Sequence, residues 1–172
     1  MSDPQRLIKL IRNRYTGEDA EQFKRTIRYM KKWKTHNFAS DGDGAPTGIA
    51  LTILAYDKGF SIKKTINPTT KKYVYDDFSA LYTLVSNIKN RFRYKWSDTA
   101  QQKCHVISVK LPVEPYNNLF MKMTDQQMES FYQKIDKMLM KLNEVKTKTK
   151  RSQACTILAQ LFGEEFPKYD GT

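Results

Sequence analysis

Hydrophobic positions recur at helical spacing along most of this chain. Over residues 21–38, placing side chains at 100° intervals collects an apolar side made of Phe23, Ile27, Met30, Trp33 and Asn37. A basic stripe of Lys24, Arg28 and Lys31 recurs at i, i+4 and i+7 beside it. The pattern therefore predicts a long helix that packs one side into a core and presents a neighbouring basic side.

Capping signals predict where the other helices begin. A carboxylate or hydroxyl followed by helical periodicity marks a helix start, and proline at the first helical position strengthens it. In chain order, the predicted starts are Asp3-Pro4, Ala45-Pro46-Thr47-Gly48, Asp76-Asp77 and Thr124-Asp125, and a last helix over residues 153–162 should end at Gly163.

Extended structure is predicted only locally. Residues 104–109 alternate in polarity and are followed by a proline-bounded segment, which is typical of a strand. Residues around Asn67-Pro68 favour a loop or a small hairpin. The predicted fold is therefore mainly α, a single domain over residues 1–172 with five to six helices and at most a short β-strand pair.

Composition and net charge indicate which classes of partner this chain can bind. The chain has 172 residues, 40% of them hydrophobic, and a formal net charge of +12, which favours phosphates, nucleic acid or acidic membrane surfaces. Its two cysteines are far apart, so neither a disulfide framework nor a zinc site is expected. No window has the apolar length of a membrane span, and a cytoplasmic location without membrane partners is expected.

One pairing of features predicts an anion site. The first backbone amides of a helix point at whatever lies before it and favour negative charge, so Thr47 and Gly48 are candidate phosphate contacts. If the stripe of Lys24, Arg28 and Lys31 faces that helix start, the two features together could hold a triphosphate. The alternatives are a solvated basic face and ordinary helix capping, and each explains one feature alone.

Other candidates carry less weight. Asp41-Gly42-Asp43 has carboxylates that could bind Mg²⁺, but it lies in a glycine-punctuated segment without a preceding strand, so an exposed turn is expected. Cys104 and His105 are adjacent on the predicted strand and should point to opposite faces, which excludes a catalytic dyad. Five aromatic residues near basic ones are either base-stacking or core residues: Tyr29, Trp33, Tyr73, Tyr94 and Trp96.

The sequence also resembles a known family. The segments FKRTIRYMKKWKTHNF, PTGIALTILAY, LPVEPYNNLFMKMTDQQMESFYQKIDKML and ACTILAQLFGEEFP are similar to the C-terminal helical half of the cGAS/DncV-like nucleotidyltransferases, the bacterial CD-NTases of anti-phage signalling. In that family, a catalytic half with a Gly-Ser loop and Mg²⁺-binding carboxylates precedes this region. Neither motif occurs in these 172 residues, so the resemblance implies a fragment or a naturally separated half.

The resemblance also implies roles for particular residues. A family lysine on the long helix and a hydroxyl at the start of the next one contact donor phosphates, which corresponds to Lys31 and Thr47, with Arg28 one turn earlier. The family usually has serine at the hydroxyl position, sometimes followed by a base-stacking aromatic residue, where this chain has Gly48. Asn117 and Asn118 lie in a loop that the family places near the nucleotide cleft, although a turn with side-chain capping is the favoured explanation.

The expected function is thus the nucleotide-positioning lobe of a cyclic-oligonucleotide synthase. ATP- or GTP-type nucleoside triphosphates would be its ligands, and a separate N-terminal lobe would bind Mg²⁺ and supply the chemistry. Alone, the chain is expected to be inactive. The alternatives are a non-enzymatic module that binds nucleic acid through basic faces and a protein-interaction adaptor.

Overall fold

The computed structural model describes residues 4–39 and 44–163, and these residues form a mainly helical fold. The helices are α1 Pro4–Arg12, α2 Gly17–Asn37, α3 Gly48–Leu54, α4 Asp77–Arg91, α5 Asp125–Thr147 and α6 Arg151–Phe162. The strands are β1 Lys64–Ile66, β2 Tyr73–Tyr75, β3 Arg93–Ser97 and β4 Gln102–Val106. The mainly α fold predicted from the sequence is confirmed.

Helix α2 lies at the centre of the fold and packs against α3, α4 and α6. Its predicted apolar side is buried from Phe23 to Trp33, whereas Asn37 at its end is only half-buried. The Nδ2 atom of Asn37 donates to the carbonyls of Trp33 and Leu161, at 2.8 and 2.9 Å, and so ties the end of α2 to the end of α6. Buried Gln22 exchanges two hydrogen bonds with the backbone of Lys63 and fixes the other end.

The predicted helix starts agree with the structure wherever they fall on described residues. The carboxylate of Asp76 accepts the amide of Ser79 at 3.0 Å, and the hydroxyl of Thr124 accepts the amide of Gln127 at 3.1 Å. The side chain of Gln127 accepts the Thr124 amide in return, which completes a capping box. Asp3, predicted as a cap of α1, lies outside the described residues.

The strands form two antiparallel hairpins, β1 with β2 and β3 with β4. The first is the hairpin expected around Asn67-Pro68, and β4 includes the first three residues of the strand predicted over residues 104–109. Strand β3 was not predicted, although Arg93–Ser97 alternates between polar and aromatic residues, because it follows α4 after a single residue and its first four residues are exposed.

A π-helical turn, Ala55–Gly59, follows α3 directly and departs from helical geometry at Asp57 and Lys58. It is held from outside by Arg91, which donates to an Asp57 carboxylate oxygen at 2.9 Å and to the Ser108 carbonyl at 2.9 Å. Among the described residues, no helix has the length and apolar character needed to cross a bilayer.

Gly59 offers a test of this packing. A Cβ atom at Gly59 would collide with the Leu54 carbonyl oxygen and lie 2.9 Å from Cδ1 of Leu84. Because both neighbours belong to the core, Gly59→Ala should lower the free energy of unfolding by about 2 kcal/mol or more. Gly17→Ala is the control, since no atom lies within 4 Å and only its positive φ of 61° is unfavourable, at about 1 kcal/mol. Equal losses in urea unfolding would contradict this packing.

Candidate functional site

Lys31 of α2 lies at the beginning of α3. A Cβ atom placed on Gly48 would be 3.6 Å from Cε of Lys31, which is ordinary van der Waals contact. Gly48 is the first residue of α3 and directly follows the cap residue Thr47. The structure therefore brings together Lys31, Thr47 and Gly48, which the sequence analysis had paired.

The start of α3 leaves hydrogen-bonding capacity towards solvent. The hydroxyl oxygen of Thr47 accepts the Ala50 amide at 3.1 Å, so its own O–H is available to a ligand. The amides of Gly48 and Ile49 precede the first intrahelical bond and have no acceptor in the part of the chain that the structure describes. Helix α3 has only seven residues, so its dipole adds little to these donors.

The basic stripe of α2 is exposed at all three positions. Lys24 pairs with Glu21 at 3.3 Å, in an exposed contact that contributes little to stability. Arg28 and Lys31 form no ion pair with any residue in the described ranges 4–39 and 44–163. Among the described residues, Lys24 is therefore the one member of the stripe that is paired with a carboxylate.

Asn118 has a structural role within its own loop. Its Oδ1 atom accepts the amides of Phe120 and Val109, at 3.1 and 3.3 Å. These bonds explain the residue as a turn-capping side chain, the alternative that the sequence left open. The predicted carboxylates Asp41 and Asp43 lie outside the described residues, and no group of three His, Cys, Asp or Glu residues able to hold a metal occurs within the described ranges.

A cleft of 390 Å³ lies between α3, the π-helical turn and residues 108–112, and sequence reasoning missed it. Its charged lining is the pair Arg91 and Asp57, together with Lys110. The pair joins residues 34 positions apart, so no local sequence pattern signals it. The guanidinium of Arg91 is already hydrogen-bonded to Asp57 and to the Ser108 carbonyl, so it stabilises the π-helical turn.

The opposite orientation of Cys104 and His105 is as predicted. Cys104 is fully buried as a free thiol, whereas the His105 ring lies between the rings of Tyr94 and Tyr132, at centroid distances of 4.5 and 3.5 Å. Nδ1 of His105 lies 2.7 Å from a carboxylate oxygen of Glu129, which also accepts the His105 amide. This arrangement fastens the second hairpin to α5.

Comparison of the sequence with protein-family models and with curated proteins gives no match.

The Glu129 carboxylate should make stability depend on pH. Burial raises its pKa, but hydrogen bonds from the His105 backbone, Gln133 and the His105 ring outweigh burial and lower the pKa overall. A lowered folded-state pKa stabilises the fold above the unfolded value, about 4.3, and that contribution is lost as pH falls through the folded value. Glu129→Gln should therefore cost about 1 kcal/mol at neutral pH, and the cost should shrink as the pH falls below the unfolded value.

Glu144→Gln is the matched control on α5, because that carboxylate is exposed and lies 3.8 Å from Lys148. Its free energy of unfolding should equal that of the unsubstituted protein at pH 7 and at pH 3. A Glu129→Gln cost that is the same at pH 7 and pH 3 would refute the assigned role of the carboxylate charge.

Proposed function

We propose that this chain binds the triphosphate of an ATP- or GTP-type nucleotide through Lys31, Arg28 and Thr47. In this proposal it is the nucleotide-positioning helical lobe of a cyclic-oligonucleotide synthase in anti-phage signalling. The observation that carries it is the position of Lys31, whose side chain lies against Gly48.

The chemistry of the three side chains suits a polyphosphate. An ammonium group is a compact charge that binds phosphate oxygens from several directions, and a guanidinium can bind two oxygens of one phosphate at once. Arg28 and Lys31 are three residues apart on one helix, so their side chains are neighbours and can engage the same chain of phosphates. The hydroxyl of Thr47 can donate a third contact from the other helix.

Gly48 matters because it has no side chain. A phosphate can approach the backbone amides of Gly48 and Ile49 without meeting a Cβ atom. In the family that the chain resembles, a serine corresponds to Thr47 and an aromatic residue sometimes corresponds to Gly48. Glycine at this second position gives a ligand access to the backbone instead of a ring on which a base can stack. The proposed site therefore recognises phosphates, with no base contact from this position.

The proposed division of labour leaves the bond-forming step to another lobe. That lobe would bind Mg²⁺, which neutralises the charge that develops during nucleotidyl transfer, and would activate a ribose hydroxyl for attack on the α-phosphate. Lys31, Arg28 and Thr47 would hold the triphosphate in line with that hydroxyl. The chain alone should bind nucleoside triphosphates without converting them.

Lys31→Ala tests this proposal. A hydrogen bond between an ammonium and a phosphate contributes about 1.5–3 kcal/mol, so the substitution should weaken ATP and GTP binding roughly 10- to 100-fold in isothermal titration calorimetry. Arg28→Ala should weaken it to a similar degree, and adenosine, which has no phosphates, should bind neither the variants nor the unsubstituted chain measurably.

Lys24→Ala is the matched control. It removes the same charge from the same stripe, two turns away from Lys31 and next to Glu21. Binding should change less than twofold, because an exposed charge at this distance is largely screened at physiological salt. Equal losses for Lys24→Ala and Lys31→Ala would mean that only net charge matters, and the proposed site would be wrong.

A further inference from the structure

Strand β3 presents two aromatic rings to solvent on one face. Tyr94 and Trp96 are 60% and 55% exposed. They are two residues apart on a strand, so their side chains point to the same side and their Cα atoms are about 6.6 Å apart along it. Of the five aromatic residues considered as stacking candidates, Trp33 is buried and Tyr29 is packed against the core. Large exposed aromatic surface on a small domain marks a place of interaction.

Both rings are held in place by contacts on the protein side. Tyr94 stacks on His105 at 4.5 Å, and His105 stacks in turn on Tyr132 of α5 at 3.5 Å. The indole N–H of Trp96 donates to a carboxylate oxygen of Asp98 at 3.0 Å. The outer ring faces are therefore already oriented, which lowers the entropy cost of binding a flat partner.

One cation lies on the face of the rings. Lys103 pairs with Trp96 across the strands, and its ammonium lies 5.7 Å from the centroid of the Tyr94 ring. Arg93 and Lys95 are exposed on the same strand, but they alternate with the rings and point to its other face. Lys103 forms no ion pair within residues 4–39 and 44–163. The nearby carboxylates, Asp98 and Glu129, are already bonded to Trp96 and His105.

We propose that this face of the second hairpin binds single-stranded nucleic acid, with bases stacked on Tyr94 and Trp96. Every base offers a flat ring, and stacking on aromatic side chains with cations for the phosphates is how sequence-tolerant single-strand binding is achieved. Lys103 lies across the strands from Trp96 and beside the Tyr94 ring, so its ammonium can bind the phosphates that link the two stacked bases. This site is independent of the proposed triphosphate site.

The observations favour a single strand over the other partners. In a duplex the base faces are stacked on one another and are closed to Tyr94 and Trp96. An apolar protein partner is disfavoured because the formal net charge of the chain is +12 and Lys103 lies on the face of the rings, which favours a polyanion.

Intrinsic fluorescence gives a direct measurement. The chain has two tryptophans, and Trp33 is 1% exposed whereas Trp96 is 55% exposed. Titration with an oligouridylate of about 12 nucleotides should quench the Trp96 emission and protect it from iodide, while the Trp33 emission stays constant. Emission that does not respond to saturating oligouridylate would overturn the proposal, as would equal affinity for a duplex of the same length.

Substitutions locate the site. Tyr94→Ala and Trp96→Ala should each weaken oligouridylate binding about 5- to 100-fold in fluorescence anisotropy, and Trp96→Phe should retain most of the affinity because it keeps a ring. Lys103→Ala should also lower the dependence of log K on log salt by about 0.7. Tyr73→Ala is the matched control, an aromatic residue 68% exposed on the other hairpin and also near a lysine, and it should have no effect.

Further controls separate this site from its alternatives. Lys31→Ala should leave oligouridylate binding unchanged, so failure of the triphosphate proposal would not affect this one. If Tyr73→Ala weakens binding as much as Trp96→Ala, binding is not localised to the second hairpin and the proposal is wrong. Quenching of Trp96 by vesicles of phosphatidylglycerol, with none by oligouridylate, would reassign the face to a membrane surface.

Discussion

The burial of one side of α2 is the constraint on which the rest of the structure depends. Trp33 and Met30 are 1% and 0% exposed, and the Trp33 ring contacts the rings of Phe38 and Phe131 from the end of α2 and from α5. A helix that buries this side cannot rotate about its axis without exposing large apolar surface. The direction of its basic stripe is therefore set by its core residues.

The proposed triphosphate site follows from that constraint and from a second one on α3. Every residue of α3 from Ala50 to Leu54 is buried, so the short helix has one position relative to α2. Its start then lies beside Lys31, which is free to meet a ligand because its side chain is not needed for packing. The hairpin face is built in the same way, since the rings of Tyr132 and His105 fix Tyr94 from beneath.

Local patterns were sufficient to predict the helices and their caps, but the proximity of Lys31 to Gly48 depends on how two helices pack and was only a conditional expectation. Residues such as Asp76 and Thr124 act through neighbours three positions away, so the local sequence is enough to predict their role. Strand β3 was missed because it follows α4 after a single residue and its first four residues are exposed. The contact of Arg91 with Asp57 depends on how distant segments pack, and the role of Asn118 became clear only from its amide contacts.

The proposed binding of a nucleoside triphosphate at the start of α3 can be tested residue by residue. We would titrate ¹⁵N-labelled protein with a non-hydrolysable ATP analogue and follow the backbone amide resonances. The largest shifts should occur at the amides of Gly48 and Ile49, which face the proposed phosphates. Unchanged resonances at these two residues, with the largest shifts among the cleft residues 108–111, would contradict it.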